Sequence, residues 1–267
     1  MRSQVTAGVI CATLGGALTA GGLLLTGAAA TPVSRPVIQA GPLLASGAIG
    51  GTAAGEVYQQ DAGGVVAVRA RTVPAPPTAF DGGSRDGSYV SGSAAVVGDG
   101  LLLTAAHLVR TASAIEVDCG GRRAAAEVAA LDSSSDLAIL RIKPDGLGLS
   151  SLSLGDSEMV RVGDPAVVLG REPGAAPALS AGTIAALQPV LRSADGSVLQ
   201  GALQVDADLG PADVGGPLLD AGGDIIGITT RMRTAGGSQP IDLAVPASAA
   251  RRLLDAVDDP SQKVVGG

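Results

Sequence analysis

The feature that most restricts this chain is its punctuation. From Val65 onward, short apolar runs are split at near-regular spacing by glycine- and aspartate-rich turns. Val65–Arg69, Ser93–Val97, Leu101–Thr104, Ile115–Val117, Ala124–Leu131, Leu137–Ile142 and Ala166–Leu169 read as strands. Gln188–Leu191, Ser197–Gln204, Leu218–Leu219 and Ile225–Thr229 continue the series. Gly98-Asp99-Gly100, Asp195-Gly196 and Gly222-Gly223-Asp224 fall between neighbouring runs, as hairpin turns do. Many short strands in this rhythm predict an all-β sandwich or barrel. Aromatic residues make up only 1% of the chain, so the core has to be built from Val, Leu, Ile and Ala. One helix is expected at the end, where Ala250, Leu253, Leu254 and Val257 share a helical face.

The ends and loops have a different character. Val5 to Ala30 runs without a charge. Two readings stay open: a secretory signal peptide cleaved near Ala28-Ala29-Ala30, or an uncleaved anchor, since roughly 20 apolar residues span a bilayer. Both place the remainder outside the cytoplasm, secreted or tethered to the membrane through residues 5–30. Residues 31–60 are expected to be mostly linker, the stretch to Gly55 being rich in Pro, Gly and Ala. Val73–Gly87 reads as a long surface loop and 259–267 as a tail.

Charge and cysteines exclude several function classes. A formal net charge of -7 without a basic stripe makes nucleic acid a poor partner. Cys11 lies in the apolar N-terminal run and lacks the small preceding residue of a lipidation signal. Cys119 then stands alone and reads as a small strand residue, so packing, not a disulfide, has to hold the fold. One histidine and one remaining cysteine exclude a metal cluster of those ligands, and no cofactor motif appears.

Three blocks carry chemistry. Ser91 to Val109 ends in Thr104-Ala105-Ala106-His107-Leu108-Val109, and His107 is the sole histidine. Ser135-Asp136-Leu137-Ala138-Ile139-Leu140 places an acid before an apolar run. Gln204 to Leu219 contains Gly210-Pro211-Ala212-Asp213-Val214-Gly215-Gly216-Pro217. In this order the blocks resemble the histidine, aspartate and nucleophile segments of trypsin-like serine proteases of the HtrA (DegP-like) group, over the protease domain only. The resemblance implies two antiparallel β-barrels, near 61–150 and 155–246, followed by a helix over 247–257, with the site in the cleft between the barrels. It assigns His107 as the base and Asp136 as its orienting acid, in preference to nearby Asp132. Ser133, Ser134 and Ser135 read as a solvated turn.

The third block departs from the family at two positions. The resemblance puts the nucleophilic serine at 214, where this chain has Val214. Gly215-Gly216-Pro217 fixes that register. Acyl transfer needs a hydroxyl to attack, a base, an orienting acid and backbone N–H groups for the oxyanion. Valine has no hydroxyl, and losing the nucleophile of such a triad costs about 10⁶ in kcat. Ala212 stands where the family has an oxyanion-loop glycine, at a cost of about 1 kcal/mol if a left-handed backbone is required. Asp213 and Asp208 read as turn caps, with a salt bridge from Asp213 as the sharper alternative.

These features lead to an expectation of a pseudoprotease that binds an extended peptide or an envelope protein without hydrolysis, by strand addition at Thr229-Thr230-Arg231. The alternatives are an active HtrA-type serine endopeptidase and a structural envelope scaffold.

Overall fold

A computed structural model describes residues 51–72, 84–86, 89–98, 100–193, 196–234 and 239–258. The uncharged run at 5–30, most of the expected linker and loop segments, and the tail lie outside these residues. Among the described residues no helix is long and apolar enough to cross a membrane.

The chain opens with helix α1 (Gly51–Asp61), then strands β1 (Val65–Thr72), β2 (Ser84–Asp86), β3 (Tyr89–Gly98) and β4 (Leu101–Ala105). Helix α2 (Ala106–Val109) is a single turn, followed by β5 (Ala112–Cys119), β6 (Arg122–Asp132) and β7 (Leu137–Ile142). These strands form one antiparallel sheet in the order β1-β5-β6-β7-β4-β3-β2, and an extra β1–β3 pairing closes it into a barrel. The second half contains β8 (Pro165–Gly170), β9 (Ala178–Arg192), β10 (Val198–Asp206), β11 (Pro217–Leu219), β12 (Ile225–Arg233) and β13 (Pro240–Pro246). It closes as a barrel, β10-β13-β12-β11-β8-β9, and helix α3 (Ala247–Asp258) ends the described chain. The all-β, two-barrel expectation with a short C-terminal helix is therefore met.

Strand alternation explains why the sequence reads as unbroken apolar runs. Val66, Val68, Leu102, Leu140 and Val117 face the interior of the first barrel. Their neighbours Val65, Leu103 and Ile139 face the other way, into a shared core with Leu169, Leu219, Ile228 and the α3 residues Ala250 and Leu253. A third cluster, with Val168, Ile184, Leu203 and Leu218, fills the second barrel. Strands buried on both faces lose the apolar/polar alternation of a half-exposed sheet.

Three elements differ from the sequence reading, the first being β2, which pairs with β3 inside the expected loop Val73–Gly87. Residues 51–61 form α1, although the composition reads as linker. Its buried Ala54 and Val57 join the shared core, and the Tyr58 hydroxyl donates to the Pro177 carbonyl at 3.0 Å. Such small apolar residues carry little periodic signal, and tertiary packing supplies the missing preference. The last strand in the sequence reading ends at Thr229, whereas β12 continues to Arg233 and a further strand, β13, begins at Pro240. Both prolines of β13 sit at its ends, Pro240 opposite Arg233 and Pro246 opposite Gly227, where a missing N–H costs the ladder least.

Candidate active site between the barrels

His107 is placed by the junction of β4 and α2. Strand β4 pairs with β7 from Leu101↔Arg141 to Ala105↔Leu137, which brings the end of β4 beside the turn that precedes β7. The chain then enters α2, whose Leu108 and Val109 are buried and fix the turn. Asp136 sits directly before β7 with φ 55, the only left-handed non-glycine among the described residues. Aspartate is one of the few residues that visits this region readily. The turn into it is tied by Asp132, which accepts from the Ser134 hydroxyl at 2.6 Å and N–H at 2.9 Å, and from the Ser135 hydroxyl at 2.5 Å. Burial pushes the Asp132 carboxyl up, but the hydrogen bonds from Ser134 and Ser135 prevail and hold it below its ordinary value. Ser134 and Ser135 thus build a turn that Asp132 organises.

Asp136 is fully engaged. Its Oδ1 accepts the His107 backbone N–H at 2.8 Å, and its backbone carbonyl accepts the Ala106 N–H at 3.0 Å. Its Oδ2 lies 2.8 Å from His107 Nδ1 and accepts the Thr230 hydroxyl at 2.6 Å. A carboxylate accepts, so Nδ1 is the donor of this contact, and Nε2 is the ring nitrogen that a general base would use. The side chains of His107 and Asp136 are 4% and 2% exposed, so the pair is sequestered from solvent. Thr230 lies on β12, so one hydroxyl from the second barrel locks the acid of the first.

The loop at 210–216 is stapled to both barrels. The Ser93 N–H donates to the Val214 carbonyl at 2.8 Å, and the Ser93 hydroxyl donates to the Ala212 carbonyl at 2.6 Å. Ser93 Oγ in turn accepts the Arg171 N–H at 2.8 Å. Gly215 has φ 83, and a Cβ there would come within 2.4 Å of Ser93 O and Thr104 Oγ1 and 3.1 Å of Ala105 N. Only glycine allows this approach, and it sets position 214 against the end of β4, two residues before His107. From the other barrel, the Gly215 N–H donates to the Thr229 carbonyl and the Thr229 N–H to the Gly216 carbonyl. The Thr229 hydroxyl reaches the carbonyls of Asp213 at 2.5 Å and Gly216 at 3.0 Å.

Val214 is 1% exposed and belongs to the apolar cluster of the first barrel, with Ala105, Leu108 and Val109. Its φ of -62 and ψ of 128 are ordinary extended values. Residues Pro211–Asp213 form a 3₁₀ turn closed by the Asp213 N–H on the Gly210 carbonyl at 3.1 Å. Ala212 therefore has a right-handed backbone, as its Cβ prefers. The loop also closes on itself where the Gly216 N–H donates to the Asp213 carbonyl at 2.9 Å. An oxyanion hole needs two N–H groups converging on one point.

Asp213 is buried, and its Oδ2 accepts the Gly210 N–H at 2.7 Å. That is a turn cap; the alternative, a salt bridge from Asp213, is not among the ion pairs of the described residues. Burial pushes its carboxyl up, helped by Asp242 and Asp208 and opposed by Gly210 and Arg231. Asp208 is exposed, and its carbonyl accepts the Ser180 hydroxyl at 3.0 Å.

The expected peptide edge narrows on inspection. Thr229 spends its backbone on Gly215 and Gly216, and strand alternation turns Thr230 toward its β13 partner Leu243. Arg231 alone of the three directs its N–H and C=O to the edge of β12 that no described strand pairs. Thr230 as the lock on Asp136 and Ser93 as the staple of the loop have no local sequence signal, because both act across the interface between barrels. No group of three or more His, Cys, Asp or Glu among the described residues is arranged to hold a metal.

Residues 92–228 match the family model described as a trypsin-like peptidase domain. The magnetosome formation protease MamE of Magnetospirillum gryphiswaldense is 35% identical over 166 residues, 60% of this chain and 21% of that protein. A probable periplasmic serine endoprotease, DegP-like, of Halomonas elongata is 31% identical over 185 residues, 68% of this chain and 38% of its own length. The periplasmic pH-dependent serine endoprotease DegQ of Escherichia coli is 33% identical over 162 residues, 60% of this chain and 35% of its own. This chain thus spans well under half the length of these relatives. A solved structure of a variant of the HtrA-type protease AlgW with a tripeptide superposes with a TM-score of 0.62 at 28% identity, over 78% of this chain and 64% of that one.

Proposed function

The chain belongs to the trypsin-like peptidase family, and we propose that it is a member of HtrA type that binds extended peptide without hydrolysing it. One observation carries this reading. At the position where the family resemblance places the nucleophile, an isopropyl group is buried in the core of the first barrel, in the cluster that holds Ala106 and Leu108 on either side of His107. The 3₁₀ turn at Pro211–Asp213 supports the same reading, since it holds the Asp213 N–H on the Gly210 carbonyl and Ala212 in a right-handed backbone. The edge of β12 at Arg231, which no described strand pairs, offers backbone donors and acceptors for an added strand.

Its place is outside the cytoplasm. The DegP-like and DegQ relatives are described as periplasmic, and the uncharged run at 5–30 suits an export signal or a tether. The AlgW structure was solved with a tripeptide, a precedent for a short-peptide ligand among HtrA-type proteins.

The test compares casein hydrolysis by the wild-type protein and by His107→Ala, together with binding of a labelled peptide library to both. Equal, background hydrolysis alongside saturable binding is expected. Turnover that disappears in His107→Ala would instead establish an active endopeptidase, the reading that the intact His107–Asp136–Thr230 relay favours. Absence of all peptide binding would point to a scaffold.

A further inference from the structure

The side chain of Arg231 bridges two elements. Its Nε–H donates to Asp242 Oδ1 on β13 at 2.5 Å, and its Nη2 donates to the Leu209 carbonyl at 2.6 Å. Leu209 is buried and leads directly into the turn that carries Ala212 and Val214. The guanidinium thus crosses from the open edge of the second barrel to the loop at 209–214. Both side chains of the ion pair are largely covered, at 24% and 22% exposure.

A strand added at Arg231 would place alternate side chains on the two faces of the sheet. One face is that of the Thr230 side chain, which looks toward Asp136. The other is that of Thr229 and Arg231, which looks toward the loop at 209–216. A side chain on this second face would lie beside the Arg231 side chain, in the space between β12 and the Leu209 carbonyl that it reaches. The guanidinium already spans that space.

We propose that Arg231, braced by Asp242, closes this side-chain pocket and selects strands that carry a small, uncharged residue there. The inference rests on the peptide-docking reading above and names its specificity-determining residue. Moving the arginine aside would break two charge-assisted hydrogen bonds. It would also leave Asp242 without its cation, close to Asp213 and Asp208. Gly, Ala or Ser fits without that displacement, whereas Leu, Met or Phe requires it. The same three aspartates repel an acidic residue, although the guanidinium keeps donors to spare.

The experiment uses fluorescein-labelled octapeptides on a Ser/Thr background, with one central residue set to Ala, Leu, Met or Glu, titrated by fluorescence polarisation. The full chain, Arg231→Ala and Asp242→Ala are compared, each first checked for a cooperative melt. The full chain should bind the Ala peptide at least tenfold tighter than the Leu, Met and Glu peptides. Arg231→Ala should bring Ala, Leu and Met within about twofold, and Asp242→Ala, which frees one end of the arginine, should give an intermediate ratio. Tight binding of the Leu or Met peptide by the full chain overturns the inference and leaves peptide docking standing. Failure of every peptide to bind any of the three proteins overturns docking, and this inference with it.

Discussion

Replacing Val214 by serine separates two roles that the account gives to this position. The side chain is 1% exposed and packed with Ala105, Leu108 and Val109. Burying a valine fully is worth about 1.5–3 kcal/mol. The serine hydroxyl recovers about 0.5–1.5 kcal/mol if it bonds the imidazole. The backbone at φ -62 and ψ 128 accepts either residue, so no conformational cost enters. The net expectation is a loss of about 1–2 kcal/mol, or about 2–8 °C in Tm for a domain of this size. Scanning calorimetry of the wild-type and V214S proteins reads it directly. Restored chemistry should not accompany this loss, because Ala212 still holds the 3₁₀ turn Pro211–Asp213 where the family resemblance places an oxyanion-loop glycine. A fluorophosphonate probe should therefore label V214S slowly, and the double variant V214S/A212G at least tenfold faster. Two results would refute the reasoning: a V214S protein that melts at or above the wild type, or one that labels as fast as the double variant.

Further outcomes follow from the same geometry. Thr230→Val keeps the shape but deprives the buried Asp136 of a hydrogen bond to its carboxylate, and should cost about 1.5–3 kcal/mol in urea unfolding. Gly170→Ala would set a Cβ 1.9 Å from Asp213 Oδ1 and 2.9 Å from its Cα, so a loss of at least about 1–3 kcal/mol is expected from the same measurement. Asp213 has its folded pKa raised above the ordinary 3.8, chiefly by burial. The folded state then holds more protons than the unfolded one above that value, so this contribution is present at low pH and lost as pH rises through the folded pKa. Asp213→Asn, which can still accept from the Gly210 N–H, should equal the wild type in stability below the ordinary carboxylate pKa and exceed it at neutral pH. Urea melts across that range that stay parallel would contradict this.

The fold was largely legible because its strands are short, apolar and separated by Gly-Asp turns, and because three blocks stand in a diagnostic order. What escaped was whatever depends on contacts across the barrels. Helix α1 carries its apolar signal in Ala54 and Val57, too little to show a period, and is held by docking on the shared core. Strand β13 hides behind prolines at both ends, which read as breaks from letters alone. In the site, His107, Asp136 and the position of Val214 were readable from local motifs. Thr230 was not readable as the partner of Asp136, since 94 residues separate them and only closure of both barrels joins them. Thr229 reads as part of a binding edge, yet its hydroxyl and backbone are used up holding the loop at 213–216. The alternation that sends one residue to the edge and the next to its neighbour becomes visible only once the pairing is known.

The central claim is that position 214, where the family resemblance places the nucleophile, offers no hydroxyl for His107 to activate. Intact-mass spectrometry of the wild-type protein after prolonged exposure to a fluorophosphonate tests it most directly. The account predicts an unmodified mass. A stoichiometric adduct on a serine or threonine that vanishes in His107→Ala would contradict it.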